Sequence, residues 1–178
     1  MIRLFKYKNI YKSIFLLVVL STVFLSCSKN SDDNPASNEQ NATGFIRASA
    51  NGVSWYSNVI LTTKTSSTRH LKASQSLTNN ANFSSAVLEF WISVNQTGEY
   101  GIGEQEPGYT YAVRAAYTLK SKDGINDEVY KAYFQDYSFL NVNGISESNL
   151  DANFIFRAYN TDFTKSVVIS EGVIKIDF

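Results

Sequence analysis

Leu150-Asp151-Ala152-Asn153-Phe154-Ile155-Phe156-Arg157-Ala158 places Leu150, Ala152, Phe154, Phe156 and Ala158 at every second position, with Asp151, Asn153 and Arg157 between them. Successive side chains of an extended chain point to opposite faces, so the pattern predicts a strand with one dry face and one wet face. The same period runs through residues 88–94, where Leu88, Phe90, Ile92 and Val94 alternate with Glu89, Trp91 and Ser93. It recurs in a long strand predicted to carry Tyr109, Tyr111, Val113, Ala115, Tyr117 and Leu119 on one face, opposite Thr110, Arg114 and Lys120.

Turn chemistry divides these runs. Residues 45–50 and 53–56 flank Asn51-Gly52, the pair that best tolerates the two positive φ angles of a type I′ hairpin. Residues 167–169 and 173–178 read as a final strand pair broken at Glu171-Gly172. Further strands are predicted over 59–63, 69–75, 129–134 and 138–142, and residues 126–134 are also compatible with a short helix capped by Asn126. Nine or ten short strands separated by turns such as Lys122-Asp123-Gly124 and Asn143-Gly144 predict an all-β, antiparallel sandwich, with a small closed barrel as the alternative.

The first residues have a different texture. Residues 1–12 hold Arg3, Lys6, Lys8 and Lys12 without an acid, and residues 14–25 form an apolar run of 12. A helix needs about 20 residues to span a bilayer's hydrocarbon, whereas signal-peptide hydrophobic regions take roughly 7–15. Residues 1–26 are therefore expected to be an export signal. Phe24-Leu25-Ser26-Cys27 resembles the bacterial lipobox, in which the cysteine is lipidated and becomes the new N-terminus. Cys27 is the only cysteine of the chain. Its acylation would provide the membrane partner, several chains giving the stable hold that one chain lacks. Residues 28–43 contain no aromatic or branched aliphatic side chain, so Cys27 and this stretch together, 27–43, read as a lipidated tether ahead of a β-domain at 44–178. Asp32-Asp33 resembles the acidic signal that sends some lipoproteins to the cell surface.

The order of these features resembles the small outer-membrane lipoproteins of Bacteroidota grouped as a domain of unknown function. The likeness is carried by residues 45–55 (FIRASANGVSW), Thr97-Gly98-Glu99-Tyr100, and residues 150–160 and 167–178. Asp151-Ala152-Asn153-Phe154 stands where members commonly carry Gly-Thr-Phe. The resemblance implies an outer-membrane address, on the periplasmic face or the cell surface, and brings no activity with it.

Composition narrows the function. The whole chain has 16 basic and 16 acidic residues, but with the four early cations set aside 12 basic face 16 acidic ones. Nucleic-acid affinity comes mostly from cations that release counterions, so this body is not expected to bind DNA or RNA. A serine triad would have to use His70, the only histidine, which lies on a predicted strand without a nucleophile-elbow motif. Zinc sites combine several Cys or His ligands, which the body cannot supply. Glu104 and Glu106 are the nearest approach to a carboxylate pair. Asp123, Asn126, Asp127 and Glu128 offer oxygen ligands, in a spacing unlike the helical calcium loop. No catalytic residue, cofactor or metal is expected. Trp91 shares its predicted outer face with Glu89 and Ser93, which makes Trp91 and Glu89 the candidate ligand-binding pair. The expectation is thus a non-catalytic, lipid-anchored envelope protein that presents a β-domain to an unidentified protein or ligand. The alternative is a glycan-binding accessory module of a polysaccharide-uptake system.

Overall fold

The computed structural model describes residues 39–104, 111–133 and 137–178. The predicted signal, Cys27 and most of the tether lie outside the described residues, as do Glu106, Tyr109 and Phe134. The described chain forms eleven strands: β1 (Gln40–Ala50), β2 (Val53–Ser57), β3 (Ile60–Lys64), β4 (Arg69–Ser76), β5 (Phe83–Ile92), β6 (Gly98–Gly101), β7 (Val113–Ser121), β8 (Glu128–Ala132), β9 (Phe139–Ile145), β10 (Asn149–Tyr159) and β11 (Ser166–Asp177).

Every pairing between these strands is antiparallel, and together they make two layers. One layer runs β2-β1-β11-β10-β9-β6; the other runs β3-β4-β5-β7-β8. Two narrow joints connect them. Gln40, Asn41 and Ala42 of β1 pair with β3, and Ala158 and Tyr159 of β10 pair with β8. The hydrogen-bonded ladder therefore runs round in a ring, but an uneven one, and the architecture is the expected antiparallel sandwich.

The predicted inner faces are the core. Leu88, Phe90 and Ile92 from β5 face Leu150, Ala152, Phe154 and Phe156 from β10, and all are buried. Phe90 meets Phe154 edge-on at 4.8 Å and Phe156 at 6.0 Å, which fastens one layer to the other. Such aromatic pairs contribute about 0.5–1.5 kcal/mol each beyond the area they bury.

The Asn51-Gly52 turn forms as expected, with φ of 49° and 81°. Its tip is also fastened to β11: Asn51 N–H donates to the Val168 carbonyl, and Asn51 Oδ1 accepts from Val168 N–H, each at 2.8 Å.

Several boundaries differ from the sequence expectations. β1 begins at Gln40, within the stretch expected to be tether, because a polar segment can pair through its backbone alone. β7 starts at Val113, so Tyr111 lies ahead of it. Residues 128–132 form the expected strand rather than the alternative helix, beginning one residue early. β6 was not anticipated; its Glu99 and Tyr100 pair with Asn141 and Leu140 between two glycines. The expected final pair is a single strand, β11. Glu171, at φ 53°, adds a residue that shifts the register against both β1 and β10. The inward parity changes there: Val167 and Ile169 point in before the bulge, and Gly172, Ile174 and Ile176 after it.

Candidate functional site

Trp91 lies on β5 between two strands that also supply its neighbours. His70 stands opposite it on β4 and Arg114 opposite it on β7. The imidazole stacks on the indole at 4.7 Å with 7° between planes, and the Arg114 guanidinium sits 5.2 Å from the indole centroid. Since β4 and β7 flank β5 on opposite sides, both faces of the Trp91 ring are covered. One position along, Glu89 pairs with Lys72 at 3.8 Å. The structure thus brings Trp91 and Glu89 onto one outer face, as a packed His70-Trp91-Arg114 row rather than an open indole platform.

Inside that row His70 Nε2 is buried without a hydrogen-bond partner. Burial lowers the imidazole's pKa; Glu89 opposes this and Lys72 adds to it, with smaller effects of Glu39 and Arg114. The neutral form of the stacked imidazole is thereby favoured. Trp55, the other tryptophan, is buried in the core.

The acidic turn after β7 is bonded to itself. Asp123 accepts from Ser121 Oγ at 2.6 Å, Ile125 N–H at 2.8 Å and Asn126 Nδ2 at 2.7 Å, and the Ser121 bond leads the effects that hold its carboxyl well below the usual range. Asp127 accepts from Lys120 Nζ at 2.6 Å and Ser121 N–H at 2.9 Å. Glu128 accepts from Lys165 Nζ at 2.7 Å and the Tyr130 hydroxyl at 2.6 Å. These oxygens already close the turn and tie β8 to the β10–β11 loop. Among the described residues no cluster of three His, Cys, Asp or Glu side chains is arranged for a metal. Glu104 is committed to Lys131 at 3.4 Å.

The tyrosines of the middle third divide. Tyr117 and Tyr130 are buried, Tyr100, Tyr111 and Tyr133 are half-buried, and Tyr137 is exposed. Tyr133, Tyr159 and Phe163 form a ring cluster with centroids 4.8–6.1 Å apart, where the β10–β11 loop meets the end of β8.

The feature that sequence reasoning missed is a cleft of about 570 Å³ at one end of the sandwich. Three connections build it: β3 to β4 (residues 65–68), β5 to β6 (93–95) and β9 to β10 (146–147). Its fixed point is Arg69. The guanidinium donates to the carbonyls of Ser146 and of Asn149, the latter at 3.3 Å, and lies 4.5 Å from the Phe178 ring centroid. Arg69 belongs to one layer and both acceptors to the other, so this side chain clamps the layers together at the mouth. Desolvation lowers its pKa, and Glu147 works in the opposite direction. On the same wall the hydroxyls of Thr68 and Ser93 share a hydrogen bond of 2.7 Å. The run Thr65-Ser66-Ser67-Thr68 was the available sequence signal, but it reads as an ordinary turn until the other two connections are placed beside it.

Compared with known proteins, the chain matches no protein-family model, no curated protein sequence and no solved structure.

Proposed function

We propose that the chain is a lipid-anchored, non-catalytic envelope lipoprotein that holds its β-sandwich off an outer membrane and presents it to a ligand or partner. The observation that carries the proposal is the layout of residues 1–27: early cations, an apolar run too short to span, and the chain's only cysteine directly after it. The strand boundary is compatible with this reading. With β1 starting at Gln40, residues 27–39 are left to serve as the tether between the lipid and the first strand. The non-catalytic part is supported by His70, the chain's only histidine, whose imidazole is stacked on the Trp91 indole with Nε2 buried. The glycan-binding alternative gains nothing from Trp91, because both faces of its indole are covered.

Replacing Cys27 by Ser in the full-length chain tests the anchor. The unaltered protein should sediment with membranes and take up a labelled fatty acid, and Cys27→Ser should do neither. Continued co-sedimentation and labelling of the variant would refute the anchor.

A further inference from the structure

We propose that the cleft at the Arg69 end of the sandwich binds an acidic saccharide, a short oligosaccharide bearing hexuronate carboxylates. The assignment rests on the reading of the domain as a ligand-presenting module and is independent of the anchor at Cys27.

Thr65, Ser66, Ser67, Thr68, Ser93 and Ser146 bring six hydroxyls around one opening; Thr65 and Ser146 also close their own turns and Thr68 and Ser93 bond each other, while Ser66 and Ser67 make no side-chain bond among the described residues. Each hydroxyl both donates and accepts, which is the pattern needed to exchange water for the hydroxyls of a polyol. Among the described residues no aromatic ring lines the cleft, and its apolar contribution comes from Ile92, Val94 and Ile145. A flat aromatic ligand finds nothing to stack on, whereas the C–H patches of a sugar fit that small apolar strip. The volume lies within the range of about 300–1,000 Å³ usual for small-ligand sites.

The cleft also carries an excess of positive charge. Two cations, Lys64 and Arg69, line the cleft against one acid, Glu147, in a body where acidic residues outnumber basic ones. The two cations differ in what they have left to give. Arg69 is held by two backbone carbonyls and the Phe178 ring, so it supplies a fixed positive field. The Lys64 ammonium makes no hydrogen bond or ion pair among the described residues and is available to a carboxylate. A carboxylate at Lys64 with ring hydroxyls along the 65–68 turn uses both features together. The cleft is also built on a clamp: because Arg69 fixes the β9–β10 turn to β4, its walls are positioned before a ligand arrives.

The test is calorimetric titration of the full chain, solubilised in detergent, with trigalacturonate and with maltotriose as the neutral comparison. Trigalacturonate should bind saturably and at least about tenfold more tightly than maltotriose, with an affinity that falls as salt is raised. Lys64→Met, a change at an exposed strand end, should weaken trigalacturonate at least about fivefold, and Ser93→Ala should weaken it as well. Lys165→Met, in the β10–β11 loop at the other end of β10 from Asn149, should leave it unchanged. Equal binding of the two sugars, no saturable binding of either, or an affinity indifferent to Lys64→Met would overturn the assignment. Failure of this titration with Cys27-dependent membrane association intact would remove the ligand and leave the anchor.

Discussion

Gly172 follows the bulge of β11 and lies directly against Phe154 of β10. A β-carbon at this position would sit 2.4 Å from the ring carbons Cδ2 and Cε2 and 2.5 Å from Cγ. Carbon atoms in ordinary contact are about 3.5–4.0 Å apart, so Gly172→Ala requires the ring or the strand to move by more than about 1 Å. The ring has nowhere to go. Phe154 is 3% exposed, packed at 4.8 Å from Phe90 and 6.1 Å from Phe156. Overpacking of this kind costs about 1–3 kcal/mol, which for a domain of this size lowers Tm by about 3–10 °C. Thermal and urea unfolding followed by circular dichroism would read the loss. Phe154→Ala alone should cost about 3–5 kcal/mol through the cavity it leaves. In that background Gly172→Ala should cost little, a coupling of about 1 kcal/mol or more between the two sites. A Gly172→Ala protein as stable as the parent, or one with the same penalty with and without the Phe154 ring, would refute this account of the bulge.

Other consequences are open to measurement. Asn51→Ala removes the acceptor for Val168 N–H and puts a poorer residue at positive φ, so it should cost about 1–2 kcal/mol in urea unfolding. Arg69→Met should destabilise by about 1–3 kcal/mol, with faster amide exchange confined to the β9–β10 turn and the end of β4, because the two carbonyls lose their shared donor. His70 has a lowered pKa in the folded protein, so the fold favours its neutral form. Its contribution is present above the ordinary value of 6.5 and is lost as pH falls from there through the folded value. Stability should therefore decline as pH falls below 6.5, and His70→Phe should flatten that part of the profile. Tyr130, buried and bonded to Glu128, is pushed up to about 12, so ultraviolet titration should find a tyrosine still protonated at pH 11 that Tyr130→Phe removes.

Period-two alternation identified β5 and β10 because both have one face against the other layer and one in water, and a side-chain pattern records that difference directly. The Asn51-Gly52 turn was legible for a similar reason, since its positive φ angles restrict which residues can stand there. β6 escaped because two of its four residues are glycines and it is held by backbone pairing to β9. β11 looked like two strands because Glu171 reverses the inward parity, which in one dimension is indistinguishable from a turn. The setting of the candidate ligand pair was hidden by the same limitation. That Trp91 faces outward was readable from alternation, but the covering of its ring by His70 and Arg114 depends on the β4-β5-β7 register, which no local pattern contains. The cleft at Arg69 draws on residues 64–69, 92–95 and 145–147, which become neighbours once the two layers close on one another.

The lipid anchor is the claim on which the proposed role depends, and mass spectrometry of the N-terminus of protein taken from native membranes tests it most directly. The account predicts that the first residue is Cys27, carrying a diacylglyceryl thioether and an acylated amine. A chain that still begins at Met1, or one in which Cys27 has a free thiol, would contradict it.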